Sequence, residues 1–123
     1  MDHSPGFLGL VDDAKQRIRE ISVAEARARL AADPRAVLLD VREDHEWQKK
    51  HAAEAAHLGK GILERDIERM FPDLDTEIIM YCGGGFRSAL TADAAQRIGY
   101  RQVYSLTGGY RELVAANWPM KQG

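Results

Sequence analysis

Residues 77–87 read EIIMYCGGGFR, an apolar run that leads directly into the single cysteine of the chain, three glycines and an arginine. The run before Cys82 is short and apolar, which predicts a strand buried on both faces. Helical spacing follows over residues 88–98, and Gly99 is well placed to end that helix. Cys82 is therefore predicted to lie in a loop between a strand and a helix.

The rest of the chain continues this alternation of helices and short strands. Ser22 and Glu25 match a capping box that starts a helix, and residues 36–41 form a second apolar run typical of a buried strand. Further segments are predicted as helices at 44–50, 62–70 and 108–116 and as a strand at 102–106. We therefore predict an α/β fold in which a central parallel sheet is flanked by helices on both faces.

An extra N-terminal helix is predicted before this domain. Residues 7–19 carry apolar side chains at helical spacing with charges between them, as in an amphipathic helix that packs on the domain or on a partner. A chain of 123 residues fits one domain. We expect residues 1–20 to form an N-terminal helical extension and residues 21–123 to form the main domain.

Composition excludes several classes of function. The net charge is −2, from 17 basic and 19 acidic residues, which predicts no nucleic-acid or membrane partner. One cysteine forms neither an intramolecular disulfide nor a Cys-rich zinc site, so we expect no metal and no cofactor. Residues 1–9 lack the pattern of a signal peptide, and a lone cysteine suits a reducing compartment, so we expect a cytoplasmic protein.

The loop that begins at Cys82 has the features of an anion-binding site. Its three glycines permit positive φ angles, which allow successive backbone N–H groups to turn inward around a negative charge. The following helix contributes its free N–H groups and the positive end of its dipole. Arg87 adds a permanent cation, and such surroundings favour a reactive thiolate. Ser88 is expected to cap the helix rather than to hydrogen-bond the loop.

These segments together resemble the rhodanese family of sulfurtransferases in its single-domain form. The resemblance covers residues 22–118 and rests on LDVRE at 39–43, YCGGGFRSA at 81–89 and GGY at 108–110. It implies a parallel α/β fold with a six-residue active loop, here residues 82–87. It also implies that Cys82 takes a sulfur atom from a small anionic donor such as thiosulfate, and that cyanide or a cellular thiol then removes this sulfur.

The resemblance also implies roles for the residues around the cysteine. The backbone N–H groups of the loop would hold the transferred sulfur, and Arg87 would help to bind the donor. The loop and binding residues are Gly83, Gly84, Gly85, Phe86 and Ser88. Asp40, Arg42 and Glu46 match an acidic–basic motif of the family and are expected to support the loop. The family's usual glycine- and proline-containing turn is replaced by KHAAEA at 50–55, and His51 is expected to be structural.

Two other functions use the same residues. Cysteine-dependent phosphatases and arsenate reductases share the cysteine, the loop and the arginine, but their loop has one more residue between the two. Only four residues separate Cys82 from Arg87, which suits a sulfur atom better than a phosphate. Alternatively, the chain is a sulfur-relay or protein-binding module that exchanges sulfur with a carrier protein, with the helix at 7–19 as its docking element.

Overall fold

The computed structural model describes residues 3–123. The helices are α1 (Pro5–Lys15), α2 (Val23–Ala32), α3 (Asp44–Lys49), α4 (Lys60–Met70), α5 (Phe86–Ile98) and α6 (Gly109–Ala115). The strands are β1 (Arg19–Ile21), β2 (Val37–Asp40), β3 (His51–Ala52), β4 (Ala56–His57), β5 (Glu77–Tyr81), β6 (Gln102–Leu106) and β7 (Met120–Lys121). No helix within the described residues is long and apolar enough to cross a membrane.

The central sheet has five parallel strands in the order β1-β6-β5-β2-β4. The predicted parallel sheet is thus confirmed, although two of its strands were not predicted. Strands β1 and β4 have three and two residues, too few to show a period of two in the sequence. Strands β3 and β7 form a separate antiparallel pair.

The helices cover both faces of the sheet, as predicted. Alternate side chains of a strand point to opposite faces. In β5, Ile78 and Met80 pack in one core cluster with apolar residues of α4 and α5. Ile79 and Tyr81 pack in a second cluster with apolar residues of α2 and α6.

The predicted N-terminal helix is present but shorter than expected. It ends at Lys15, and the residues predicted to be its last turn lead instead into β1, where Arg19 pairs with Tyr104 of β6. Pairing with the edge of the sheet satisfies backbone groups that a last helical turn would leave exposed. The buried side chains of Val11 and Ala14 face the domain, and Arg17 donates two hydrogen bonds of 2.9 and 2.8 Å to Asp93 of α5.

The register of β2 and β5 positions the site. Asp40 pairs with Tyr81, so both strands end at the same level of the sheet. The backbone N–H of Val41 donates to the Tyr81 carbonyl at 3.0 Å. The two polar segments that follow these strands therefore meet at the carboxyl edge, where open α/β sheets bind their ligands.

Candidate active site

The sulfur of Cys82 lies inside the loop that follows β5. The residue is only 1% exposed, and its Sγ accepts hydrogen bonds from the backbone N–H of Gly85 at 3.1 Å and of Ser88 at 3.4 Å. Both donors belong to the start of α5, whose N-terminus carries the positive end of the helix dipole. These contacts stabilise negative charge on the sulfur.

The prediction that the loop glycines adopt positive φ angles holds for only one of the three, and the other two are needed for space. Gly85 has φ +98°, whereas Gly83 and Gly84 do not have positive φ. A Cβ atom at Gly83 would lie 3.1 Å from Nη2 of Arg87, and one at Gly84 would lie 3.2 Å from Nη2 of Arg111. The first two glycines therefore leave room for two guanidinium groups over the loop.

The start of α6 braces the loop from the other side. Gly109 has φ +52°, and a Cβ atom there would collide with the carbonyl oxygen of Cys82. The backbone N–H of Tyr110 donates to that oxygen at 2.6 Å, and the N–H of Arg111 donates to the Gly83 carbonyl at 3.3 Å. Gly109 is thus required by the close approach of two backbones.

Ser88 does not cap the helix, which corrects the expectation from sequence. The N-cap residue is Gly85, and Ser88 lies in the first turn with its side chain buried. Its Oγ is 3.6 Å from Sγ of Cys82 and 2.8 Å from Oγ of Ser105 in β6. A chain of two buried hydroxyls therefore extends from the sulfur into the domain, and Ser105 had no sequence signal.

Arg87 forms a two-pronged ion pair with Glu46 of α3. Its Nη1 and Nη2 donate to the two carboxylate oxygens at 2.7 and 3.1 Å. Hydrogen bonding from Arg87 lowers the pKa of Glu46 to about 2. Because the charge of Arg87 is balanced by Glu46, this arginine is not an isolated cation in the site.

Asp40 and Arg42 form a second, separate ion pair. Arg42 donates through Nε and Nη2 to the carboxylate at 2.8–3.1 Å, and both side chains are almost fully buried. Nη2 also donates to the Lys50 carbonyl at 2.7 Å, and the guanidinium lies 4.3 Å from the ring centroid of Tyr110. The three predicted supporting residues therefore belong to two separate ion pairs. Asp40 and Arg42 pair with each other against α6, and Glu46 pairs with Arg87 at the end of the loop.

His51 lies in β3 and is buried away from the cysteine. Its ring stacks on Trp47 at 3.4 Å, and Trp47 also stacks on His57 at 4.7 Å. The Nδ1 atom of His51 is 2.9 Å from the Ala52 carbonyl oxygen. These contacts agree with the expected structural role.

A cavity of about 550 Å³ opens beside the cysteine. Its walls are formed by the loop residues 82–84, 86 and 87, by α3 and its N-cap, by the N-terminal segment and by α6. Five wall residues outside the predicted site residues are His3, Phe7, Glu43, His45 and Arg111. Glu43 is the last residue of the LDVRE motif. Tertiary packing brings the other four to the cysteine, and no local pattern in the sequence could have assigned them. No group of three or more metal-ligating side chains occurs within residues 3–123.

Known proteins similar to this chain include two that differ in length and in activity. The chain is 32% identical over 74 residues to thiosulfate sulfurtransferase GlpE of Coxiella burnetii, which covers 60% of this chain and 67% of that protein. It is 31% identical over 118 residues to tRNA uridine(34) hydroxylase of Protochlamydia amoebophila. That match covers 90% of this chain but only 35% of the hydroxylase.

Among solved structures, RPA3614 of Rhodopseudomonas palustris, a protein of unknown function described as a possible tyrosine phosphatase, matches with a TM-score of 0.85 and 26% identity. The alignment covers 98% of both chains. The family model of the rhodanese-like domain matches residues 22–116, from the cap of α2 to the end of α6. That range includes four of the five strands of the parallel sheet and the cysteine loop, and the chain belongs to the rhodanese-like family.

Proposed function

We propose that this protein is a sulfurtransferase whose Cys82 accepts a sulfane sulfur as a persulfide and passes it to a thiophilic acceptor. The observation that supports this most directly is the pair of backbone N–H groups directed at Sγ of Cys82. They stabilise the thiolate that must attack, and the other backbone N–H groups of the loop, residues 83–87, would hold the outer sulfur of the persulfide.

The first half-reaction loads the cysteine. The Cys82 thiolate attacks the outer sulfur of thiosulfate, a bond forms between the two sulfurs, and the S–S bond of thiosulfate breaks. Sulfite leaves with the electron pair of the broken bond, and Cys82 becomes a persulfide anion. No proton is transferred, so a histidine base is not needed.

The second half-reaction removes the sulfur from Cys82. Cyanide or a thiolate attacks the outer sulfur of the persulfide, and the Cys82 sulfur leaves as a thiolate. With cyanide the product is thiocyanate, and with a thiol it is a new persulfide. Since each half-reaction returns the cysteine to an anionic form, the same hydrogen-bond donors serve both.

The two ion pairs have supporting roles in this proposal. The Arg87–Glu46 pair fixes the end of the loop, and Arg87 helps to bind the anionic sulfur donor through the guanidinium N–H groups that Glu46 does not engage. The Asp40–Arg42 pair holds the neighbouring segment against Tyr110 and so keeps the start of α6 under the loop. The chemistry requires a free thiol, and we propose that the protein works in a reducing compartment such as the cytoplasm.

Two further candidates give different experimental results. The R. palustris protein is described as a possible phosphatase, but the loop of four residues between Cys82 and Arg87 argues against that chemistry here. The relay hypothesis keeps the persulfide but makes a sulfur-carrier protein the partner, with the N-terminal helix predicted at 7–19 as its docking element. Removing the α1 segment would then abolish exchange with the carrier while the persulfide still forms.

The experiment is intact-mass spectrometry under non-reducing conditions. Thiosulfate should add about 32 Da, one sulfur atom, to the wild-type protein, and cyanide should remove it with release of thiocyanate. Cys82→Ser is the control and should show no adduct with an unchanged thermal unfolding curve. Hydrolysis of an aryl phosphate in the absence of any sulfur adduct would overturn the proposal in favour of a phosphatase.

A further inference from the structure

Two buried hydroxyl groups lie behind the sulfur of Cys82. Ser88 is in the first turn of α5 and Ser105 is in β6, and both residues are fully buried. Sγ of Cys82 is 3.6 Å from Oγ of Ser88, which in turn is 2.8 Å from Oγ of Ser105. Neither serine lines the cavity, so this pair of hydroxyls is not part of the surface that a substrate contacts.

Ser105 lies on an apolar face of the sheet. Met80 is its register partner in β5, and Val103 lies two residues before it in β6 and so on the same face. Both belong to the core cluster that includes Cys82. Within residues 3–123 the Ser105 hydroxyl has one hydrogen-bond partner, Oγ of Ser88. Because burying a hydroxyl without a hydrogen bond costs free energy, the pairing with Ser88 is what allows a serine at this position.

The direction of this hydrogen-bond chain depends on the charge of the sulfur, because each hydroxyl donates one proton. When the neutral thiol donates to Ser88, the Ser88 hydroxyl donates to Ser105, and the proton of Ser105 has no acceptor within the described residues. When the sulfur is a thiolate, Ser105 donates to Ser88 and Ser88 donates to Sγ. Every hydroxyl proton then has an acceptor, and both O–H dipoles point towards the negative charge.

The contribution of Ser105 is to strengthen the hydrogen bond that Ser88 donates. The Ser88 hydroxyl can donate to the thiolate without any help. A hydroxyl that accepts a hydrogen bond is polarised by it and donates a stronger one in its turn, most of all where the surroundings are apolar. Ser105 supplies that bond and holds the Ser88 hydroxyl in the rotation that faces the sulfur.

We propose that Ser105 is a positioning residue of the sulfur-transfer site, which turns the Ser88 hydroxyl towards Sγ and so favours the thiolate of Cys82. It acts when Cys82 attacks the sulfur donor, and again when Cys82 leaves as a thiolate in the second half-reaction. The inference rests on the proposed sulfurtransferase function and adds to it a residue that touches neither the substrate nor the sulfur.

The charged groups that also face the sulfur lie on its cavity side. They belong to the N-terminal segment, to α3 and its N-cap, to the loop and to α6, and they are His3, Glu43, His45, Glu46, Arg87 and Arg111. Within residues 3–123 none of them hydrogen-bonds to the side chain of Ser88 or Ser105. A substitution of Ser105 therefore changes the hydroxyl chain and leaves the charges of the cavity in place.

The test is the pH profile of Cys82 alkylation by iodoacetamide, in a chain with no other cysteine to react. The rate follows the fraction of thiolate and levels off at high pH. Since accepting one hydrogen bond strengthens the next by roughly 10–30%, we expect Ser105→Ala to slow alkylation about twofold to threefold below the midpoint. The midpoint should rise by about 0.3–0.5 pH units with an unchanged plateau, and loading by thiosulfate should slow by the same factor.

Three further variants assign the effect to the hydroxyl chain. Ser105→Thr keeps the hydroxyl and should restore the wild-type midpoint. In the background of Ser88→Ala, Ser105→Ala should cause no further shift, because Ser105 acts through Ser88. Thr91→Val is the matched control: the buried Thr91 hydroxyl donates to the backbone carbonyl of Ser88 and not to its side chain, so the midpoint should stay in place. Thermal unfolding curves check that each variant is folded.

The outcomes separate this inference from the proposed function. If thiosulfate adds a sulfur to the wild type but Ser105→Ala keeps the wild-type midpoint, Ser105 is not a positioning residue and the sulfurtransferase remains. An equal shift with and without the Ser88 hydroxyl would also overturn the inference, because Ser105 would then not act through Ser88. If the midpoint moves as expected but Cys82 takes up no sulfur, the proposed function fails, and with it the role of Ser105 in sulfur transfer.

Discussion

Glu46→Gln removes the negative charge that holds Arg87 at the end of the cysteine loop, and we expect it to lower the stability of the protein in a pH-dependent way. The pKa of Glu46 lies at about 2 in the folded protein, because Arg87 hydrogen-bonds its carboxylate, against an ordinary value of 4.5. Each pH unit of that difference corresponds to about 1.4 kcal/mol of stability. The pair would contribute about 3 kcal/mol in full.

Solvent reduces this contribution. The side chains of Glu46 and Arg87 are 26% and 29% exposed, so water screens part of the interaction. We therefore expect Glu46→Gln to lower the free energy of unfolding by about 2 kcal/mol at pH 7, or the Tm by about 8 °C for a domain of this size. The glutamine also leaves Arg87 partly buried without a counter-charge.

The pH dependence gives the decisive comparison. A carboxylate with a lowered pKa stabilises the fold above its unfolded pKa, and this stabilisation is lost as the pH falls from about 5 towards 2. Urea unfolding of wild type and variant should show the full difference at pH 7 and a loss of roughly two-fifths of it at pH 3.5.

Glu64→Gln is the control for that experiment. Glu64 is an exposed carboxylate on α4 that forms no ion pair within the described residues and does not line the cavity beside Cys82, so its substitution should change stability by less than about 0.5 kcal/mol. Equal stabilities of Glu46→Gln and wild type at pH 7, or a difference that stays constant down to pH 3.5, would refute the reasoning.

Three more substitutions test the supports of the site. Gly109→Ala should lower the free energy of unfolding in urea by at least about 2 kcal/mol, because Gly109 has φ +52° and a Cβ there would collide with the cysteine loop. Gly61→Ala is the control and should cause no such loss, because Gly61 lies on a helix with open space around it. Arg42→Met should lower the free energy of unfolding by about 3–5 kcal/mol, because it leaves the Asp40 carboxylate buried and unpaired. Adding Asp40→Asn should recover part of that loss, and a double variant less stable than Arg42→Met would contradict this. The thiol of Cys82 donates to Ser88 Oγ, and once the thiol ionises the hydroxyl can turn to donate to the sulfur. Ser88→Ala should therefore slow alkylation of the cysteine at pH 7 about threefold to tenfold, and an unchanged rate would show that this hydroxyl has no influence on the sulfur.

The sequence predicted the elements whose signals are local. The apolar run at 77–81 forms β5 with the predicted bounds, and the capping box at Ser22 is present with both of its hydrogen bonds. The short strands β1 and β4 were not predicted, because their pairing depends on neighbours distant in the chain. The spacing of apolar residues over 7–19 predicted a helix that continues to residue 19, but the chain leaves the helix after Lys15 because Arg19 pairs with the distant strand β6.

The position of Cys82 between a buried strand and a glycine-rich helix start followed from the sequence alone, because strand, loop and helix are contiguous and each has a local pattern. The contacts made by that cysteine required the tertiary structure. Only folding brings Ser105 behind the sulfur, pairs Arg87 with Glu46, and places Phe7 and Arg111 at the cavity. These residues lie on separate elements, and the register of the parallel sheet and the packing of helices on its two faces determine which of them meet.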